Sequence, residues 1–178
     1  PVAVGGAVMT PRLVQRLLND VGDNPDQLPI LQHALMRTWD KWQKSDAESI
    51  DLPHYEAIGG MGEALSQHAD EIFAALPDDR HRVVAKKLFR ALTDAEIDNR
   101  GLRRPTRLEE LCAVTSAATD EVVTVIEAFR QPGSSFLVPP VPTPLRADSV
   151  VDISHESLMR VWNQLKAWTE QEAQSARV

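Results

Sequence analysis

Residues 119–153, TDEVVTVIEAFRQPGSSFLVPPVPTPLRADSVVDI, decide the fold that the sequence predicts. Apolar residues at helical spacing, among them Val122 and Phe129, follow a threonine that can cap a helix. Two short β-prone pieces come next, 135–138 and 150–153, and the loop between them contains four prolines. Proline cannot donate to a sheet, so this loop is not a central strand. The stretch therefore predicts a helix followed by a β-hairpin with a stiff, exposed loop.

The neighbouring segments complete this half of the chain. Apolar spacing predicts a helix over 80–92, and an extended piece lies near 102–105. Thr106 and Glu109 have the spacing of a capping box for a small helix. A final helix is predicted over 154–172. Its buried positions are Leu158, Val161, Trp162, Leu165 and Trp168. Helix, strand, helix, helix and hairpin is the order of a winged helix.

The first part of the chain shows only helical patterns. Helices are predicted over 11–19, with Pro11 at the first helical position, and over 29–44 and 63–76. The helix over 29–44 is expected to bury one apolar face. That face consists of Leu28, Leu31, Leu35, Trp39 and Trp42. The predicted fold class is mainly α, with a helical bundle followed by a winged-helix domain that has a small β-hairpin wing.

The composition is that of an ordinary globular chain. It has 178 residues, of which 43% are hydrophobic and 25% charged, and this length allows one or two domains with a proper core. The single cysteine, Cys112, cannot form an internal disulfide, and no cysteine and histidine spacing predicts a metal site. No apolar run is long enough to span a bilayer, and no export leader is recognised. A cytoplasmic protein without membrane association is expected.

The charge is distributed unevenly along the chain. The net charge is −7, but the segment 80–107 contains nine basic residues and three acids, a local charge of +6. The rest of the chain therefore carries −13. An acidic chain with one basic segment suits a phosphate-bearing ligand, an acidic protein face or nucleic acid, and the charge alone does not choose among them.

Nucleic acid is the alternative partner that the predicted winged helix raises. A helix that reads a groove must bring positive charge to a polyanion, but the candidate helix over 119–130 carries three acids and one arginine. Arg103, Arg104 and Arg107 could touch a phosphate backbone without reading sequence. Nucleic acid is therefore not the expected partner. A nucleotide-independent protein–protein adaptor is the other alternative.

Ser154, His155 and Glu156 stand side by side, but they do not predict a catalytic triad. A triad needs the nucleophile and the carboxylate on opposite ring nitrogens of the histidine, a geometry normally assembled from distant chain positions. Three adjacent residues at a helix start point about 100° apart. Ser154 is instead expected to cap the final helix, and Glu156 to favour the helix dipole.

The glycines of the segment 59–62 predict a turn and not a phosphate-binding loop. A Walker loop requires lysine and a hydroxyl residue after its last glycine, and here Glu63 and Ala64 follow. The chain lacks this loop and the acids that bind magnesium. No ATPase activity is therefore expected of this chain by itself.

Four segments together resemble one protein family. They are LPILQHALMRTWDKW (28–42), LPHYEAIGGMGEALSQHADEIFAALP (52–77), KKLFRALT (86–93) and VVDISHESLMRVWNQLKAWTEQE (150–172). In order and distance they look like the region after the ATPase core of bacterial novel STAND NTPases, which are often fused to WD40 repeats. The resemblance implies a helical, lid-like domain over residues 1–76 and a winged-helix domain over residues 77–178.

The resemblance also implies two residues that bind nucleotide. In the family, the proline of a Gly-x-Pro-like motif packs against the adenine, and Pro29 matches it, with Gln27 where the family has glycine. In related switches a winged-helix histidine contacts the β-phosphate of ADP, and His155 matches that place. Alternatively, His155 bonds between elements of its own domain and never meets nucleotide.

The function that the resemblance implies is that of a regulatory fragment. The chain would hold a signal-transduction ATPase in its ADP-bound off state and relay the nucleotide state to other domains. Its expected partners are an upstream P-loop ATPase domain and downstream WD40 repeats. No cofactor is expected in the fragment, whereas ADP or ATP with magnesium is expected in the full-length protein.

Overall fold

The computed structural model describes residues 6–94 and 102–176. The chain is mainly helical with small sheets, which confirms the predicted mainly α fold class. It divides into two compact units, Pro1–Gln67 and His68–Val178. The domain boundary after residue 76 and the winged-helix assignment stay predictions, because a division by packing alone does not define a family's domains.

The first unit consists of helices and one small sheet. Its elements are β1 (Val8–Met9), α1 (Pro11–Val21), a 3-10 turn (Pro25–Gln27), α2 (Leu28–Gln43), β2 (Ser49–Ile50), α3 (Leu52–Ala57) and the start of α4 (Gly60–Ala74), the helix that contains the boundary. Strands β1 and β2 pair in parallel, with Val8 opposite Ser49 and Met9 opposite Ile50. Pro11 begins α1, as predicted, because its missing N–H costs no hydrogen bond there.

Asp51 joins the starts of two helices in the first unit. Its carboxylate accepts hydrogen bonds from Arg12 Nε at 2.7 Å, from Thr10 Oγ1 at 2.6 Å and from the backbone N–H of Leu52 at 2.7 Å. Thr10 caps α1 and Asp51 caps α3, so one carboxylate serves both helix starts. The bonds from Arg12 and Thr10 hold the pKa of Asp51 far below its usual value.

The Asp51 network predicts a pH-dependent stability of the first unit. A carboxylate whose pKa is depressed on folding stabilises the fold above its unfolded pKa of about 3.9, and that stability is lost as the pH falls through the folded pKa. We expect Asp51→Asn to lower the urea midpoint at pH 6 and to differ progressively less from the wild type as the pH falls below about 4. A difference that stays constant from pH 6 to pH 2 would contradict this assignment.

Tyr55 anchors the turn between α3 and α4. The side chain is fully buried, and its hydroxyl donates to Asp20 Oδ2 at 2.7 Å and accepts from the Met61 N–H at 2.9 Å. Burial, followed by the bond to Asp20, raises the pKa of Tyr55. Gly59 has φ +85°, and a Cβ there would lie 2.7 Å from Gln67 Nε2, so this turn position requires glycine.

The second unit combines helices with two antiparallel sheets. Beyond the end of α4 its elements are α5 (Asp79–Ala91), β3 (Thr93–Asp94), β4 (Leu102–Arg103), β5 (Thr106–Arg107), α6 (Leu108–Thr115), α7 (Thr119–Arg130), β6 (Leu137–Val138), β7 (Val150–Ile153), α8 (Ser157–Val161) and α9 (Asn163–Ala176). β3 pairs with β4, and the three-stranded sheet has the order β5-β7-β6 with antiparallel neighbours. Both halves of the predicted hairpin are therefore present as paired strands.

The start of α6 is not the predicted capping box. Thr106 lies in β5, and its hydroxyl donates to the carbonyl of Arg104 at 2.8 Å instead of capping the helix. The first two N–H groups of α6, on Leu108 and Glu109, donate to the carbonyls of Ser149 and Ala147, each at 2.9 Å. Carbonyl groups of the loop before β7 thus accept the hydrogen bonds that a side-chain cap would accept. Local spacing does not predict this, because the loop is distant in sequence.

The final helix is not continuous and does not begin at Ser154. α8 begins at Ser157, and Trp162 separates it from α9 with an extended backbone of φ −74° and ψ 106°. The indole of Trp162 is fully buried, and its Nε1 donates to Asp70 Oδ1 at 2.7 Å. Gln164 Nε2 donates to the same oxygen at 2.8 Å. The break thus coincides with a buried, hydrogen-bonded indole that a continuous amphipathic pattern does not predict.

Candidate functional site

The turn between β7 and α8 presents His155 on a fixed backbone. The N–H of Ser154 donates to the carbonyl of Phe136 at 3.0 Å, which extends the β6–β7 pairing by one residue. On the other side, the carbonyl of His155 accepts from Leu158 N–H, and that of Glu156 from Met159 N–H, both at 3.1 Å. The His155 side chain is exposed, and its ring makes no hydrogen bond to any residue that the structure describes. The ring is available to a ligand while the main chain is held.

Two arginines surround this turn, residues 152–156, which we call the His155 turn. Arg103 Nη1 donates to Asp152 Oδ2 at 3.0 Å and to the carbonyl of Ile153 at 3.1 Å, and its Nε lies 3.9 Å from Glu156 Oε1. Arg160 Nη2 lies 3.3 Å from the other oxygen of Glu156. Both carboxylates that flank His155 are therefore paired with arginine. The negative charge of Glu156, which would oppose a bound phosphate, is largely neutralised.

The three side chains of Ser154, His155 and Glu156 are not joined by hydrogen bonds. Glu156 is directed to Arg160 and Arg103, and the His155 ring has no carboxylate partner among the described residues. An arrangement without a nucleophile–base–acid chain cannot carry out triad chemistry.

Pro29 occupies the second position of α2 in the first unit. The neighbouring Leu28 is 54% exposed, so this helix start reaches the surface, and Pro29 itself is half-buried. Gln27, which stands where the resemblance implies glycine, has φ −81° and ψ −11°. These are ordinary right-handed angles, so the substitution requires no strain. Asn24 Oδ1 accepts from Asp26 N–H at 3.0 Å and stabilises the 3-10 turn that leads to this position.

Comparison with protein families supplies the deciding observation. A family model described as Novel STAND NTPase 1 matches residues 1–178, the whole chain. The chain belongs to the novel STAND NTPase 1 family. The resemblance carried by the four segments is therefore confirmed. No curated protein and no solved structure gives a significant match.

Five arginines of the basic segment 80–107 in this STAND NTPase chain form ion pairs with acids that lie outside the segment. Arg107 lies 3.7 Å from Glu109, whereas Arg104 is exposed and its side chain has no polar partner among the described residues. The other ion pairs of the segment are Arg80 with Glu121, Arg82 with Asp79, Arg90 with Glu172 and Arg103 with Asp152. Exposed pairs contribute little stability, but they cancel the local field that would attract a polyanion.

Arg130, the one cation of α7, is buried in this STAND NTPase chain. Its Nη1 donates to the carbonyls of Pro139 at 3.1 Å and Thr143 at 2.8 Å, and its Nη2 lies 2.5 Å from Glu127 Oε1. The side chain is only 4% exposed, so it anchors the proline-rich loop and cannot reach a phosphate backbone. The candidate recognition helix thus presents acids without a free cation, which argues against groove reading.

Metal sites and membrane-spanning helices are not found in the described parts of this STAND NTPase chain. Over residues 6–94 and 102–176, no group of three or more histidine, cysteine or acidic side chains is placed to hold a metal ion. Within the same ranges, no helix has the length and apolar character needed to cross a membrane. His33 is buried in α2.

Two residues of this site, one in the His155 turn and one in α8, are not predicted from the sequence. Asp152 gave no local signal, because its partner Arg103 lies 49 residues away. Arg160 could have been found, because Glu156 and Arg160 have the i, i+4 spacing of a helical ion pair. Arg103 was singled out only as a contact for nucleic acid. The structure places its guanidinium against Asp152 and Ile153, at the end of β7.

Proposed function

We propose that this chain is the regulatory lid and winged-helix region of a STAND-type signal-transduction ATPase. In this proposal His155 contacts the β-phosphate of ADP and holds the off state, and the chain relays the nucleotide state to other domains. The observation that carries the proposal is the His155 turn, in which an exposed ring without a hydrogen bond to any described residue sits on a backbone fixed at both ends. A residue arranged in this way serves a ligand outside its own fold better than it serves packing.

The topology of the second unit supports the winged-helix part of the proposal. Helices α5, α6 and α7 are followed by the β6–β7 hairpin, and β7 lies between β5 and β6 in one antiparallel sheet. This is the order of a winged helix, with the proline-rich loop of residues 139–149 as the wing. His155 directly follows the last strand of that sheet. A movement of the winged helix would therefore carry the histidine with it.

The first unit would contribute the adenine contact. Pro29 lies at an exposed helix start, and the ordinary backbone of Gln27 leaves the ring of Pro29 in a helical first turn. ADP or ATP with magnesium would be held mainly by the upstream P-loop domain, with Pro29 and His155 as contacts from this chain. WD40 repeats downstream would receive the signal. The fragment performs no catalysis, and its setting is the cytoplasm.

The proposed latch works by differential affinity. A domain that binds the ADP-loaded core more tightly than the ATP-loaded core shifts the equilibrium toward the closed state when ADP is bound. By thermodynamic reciprocity, closure then slows the loss of ADP. The described residues offer no spare acid at the His155 turn, since Glu156 and Asp152 are both paired. The contact with the diphosphate is therefore not opposed by an unpaired carboxylate.

The proposal predicts that His155→Ala in the full-length protein speeds the release of ADP. A hydrogen bond to a charged group contributes about 1.5–3 kcal/mol. Its loss should raise the dissociation rate of a fluorescent ADP analogue by roughly tenfold or more, and basal activity should increase. His81→Ala is the control, because His81 is a histidine of the same unit that pairs with Asp78. Equal release rates for the wild type and His155→Ala would refute the proposal.

A further inference from the structure

We infer that Arg103 is the positioning residue of the His155 turn and not itself a contact for phosphate. This inference rests on the proposed function, because it concerns the presentation of His155 to a diphosphate. Arg103 lies in β4, 52 residues before His155, so the two are distant in sequence. Three observations carry the inference. The backbone of Arg103 is fixed, its guanidinium bonds to the turn, and its charge balances the carboxylates around the histidine.

The backbone of Arg103 is fixed independently of the turn. In the β3–β4 pairing Arg103 lies opposite Thr93, and the N–H of the next residue, Arg104, donates to the carbonyl of Leu92 at 2.8 Å. Leu92 is fully buried at the end of α5. The guanidinium therefore extends from a strand held against the core of the second unit, and it can act as a rigid support.

The guanidinium bonds to the two residues that precede Ser154 and His155. One nitrogen, Nη1, donates to the Asp152 carboxylate at 3.0 Å and to the Ile153 carbonyl at 3.1 Å. Asp152 is itself oriented, because its other oxygen accepts from the Ile153 N–H at 2.7 Å. The planar guanidinium suits such convergent acceptors, whereas the ammonium of lysine is a point charge on a flexible chain. Arg103 thus fixes the exit of β7, from which the turn begins.

The charges around His155 balance only when Arg103 is present. Asp152 and Glu156 flank the histidine, and Arg103 and Arg160 pair with them. Without Arg103, Asp152 would lose its ion-pair partner and Glu156 would keep only Arg160. The uncompensated carboxylate would repel an approaching diphosphate. Arg103 therefore influences the nucleotide through the geometry and the charge of the turn.

A double-mutant cycle in the full-length protein tests the inference. Release of a fluorescent ADP analogue is measured for the wild type, Arg103→Met, His155→Ala and the double variant. We expect Arg103→Met to speed release by roughly fivefold, and we expect the double variant to match His155→Ala alone within about twofold, because residues that act through one contact are not additive. Arg103→Lys, which keeps the charge and protects folding, should restore only part of the slow release.

The control variant is Arg90→Met. The Arg90 side chain is 30% exposed, against 38% for Arg103, and it forms an ion pair with Glu172 in the same unit, 2.8 Å between Nη2 and Oε1. Its ADP release should equal that of the wild type. Hydrogen–deuterium exchange over residues 152–159 should be faster in Arg103→Met and unchanged in Arg90→Met, because the Leu158 and Met159 N–H groups bond within this segment and the Ser154 N–H bonds to the carbonyl of Phe136.

The outcomes separate this inference from the proposed function. Multiplicative effects in the double variant would show that Arg103 binds the nucleotide itself and would overturn the inference. Unchanged release in Arg103→Met with fast release in His155→Ala would also overturn it and would leave the proposed function intact. If His155→Ala alone has no effect, the proposed function fails, and the exchange experiment decides whether Arg103 orders the turn.

Discussion

Trp162→Ala is expected to lower the free energy of unfolding of the second unit by about 4 kcal/mol, since truncating a buried tryptophan removes its contacts and leaves a cavity. The indole is fully buried, with the rings of Phe89 at 4.9 Å, Trp168 at 5.2 Å and Phe129 at 5.8 Å between centroids. The variant also removes the Nε1 donor from Asp70. Urea denaturation followed by circular dichroism would measure the change.

One further variant separates the contribution of the hydrogen bond from that of the packed ring, and a second serves as a control. Trp162→Phe keeps an aromatic ring but removes the N–H donor, so we expect a smaller loss of about 1–2 kcal/mol, with Asp70 still bonded to Gln164. Lys166→Ala replaces an exposed side chain on α9 and should have almost no effect. If Trp162→Ala were no more destabilising than Lys166→Ala, the aromatic cluster would not be the core of this unit.

Arg130→Met is expected to produce the second large loss of stability, about 3 kcal/mol, because it removes the hydrogen bonds that a buried guanidinium donates to three acceptors. Arg130 Nη1 holds the carbonyls of Pro139 and Thr143, and Nη2 holds Glu127. Methionine has a similar length but no donor, so the packing is kept while the bonds are lost. The proline-rich loop should also become more susceptible to limited proteolysis.

Arg146→Met provides the matched control for Arg130→Met. Arg146 belongs to the same loop, but its side chain is exposed and has no ion pair among the described residues. Its replacement should change the urea midpoint very little and leave proteolysis unchanged. Equal effects of the two variants would mean that Arg130 does not anchor the loop. Anchoring would then not explain why Arg130 is buried.

The sequence predicted where the helices and strands of the second unit lie better than it predicted which residues cap the helices. Helix α7 ends at the predicted residue, Arg130, and β7 has the predicted bounds, because apolar periodicity and β-branched residues act locally. The predicted cap was wrong where the first N–H groups of a helix bond to residues that are distant in sequence. Thr106 does not cap α6, whose first N–H groups bond to Ser149 and Ala147 across the sheet.

Helix α2 is a case in which apolar spacing predicted the helix but not its buried face. The helix was predicted correctly, but its most buried positions are Ile30, His33, Ala34 and Thr38 and not the predicted face of leucines and tryptophans. Thr38 can be buried because its hydroxyl donates to the carbonyl of Ala34 at 2.7 Å. A local bond of this kind makes a polar residue compatible with the core, so apolar spacing alone chose the wrong side of the helix.

The candidate site was predictable only in part. His155 followed from the resemblance of the segment 150–172 to the STAND family, and the structure adds that its side chain is exposed. The supporting residues were not predictable, since the contacts of Arg103 with Asp152 and Ile153 join positions 49 and 50 residues apart. Pairing of this range depends on how β4 and β7 are placed in the fold, which local patterns do not determine.

The most direct test of the central claim is an experimental structure of the full-length protein with ADP bound. The account predicts that a ring nitrogen of His155 lies within hydrogen-bonding distance, about 3 Å, of an oxygen of the β-phosphate. Arg103 should still be bonded to Asp152 and Ile153 in that complex. A complex in which the His155 ring faces solvent or its own unit, while ADP is bound elsewhere, would contradict the account.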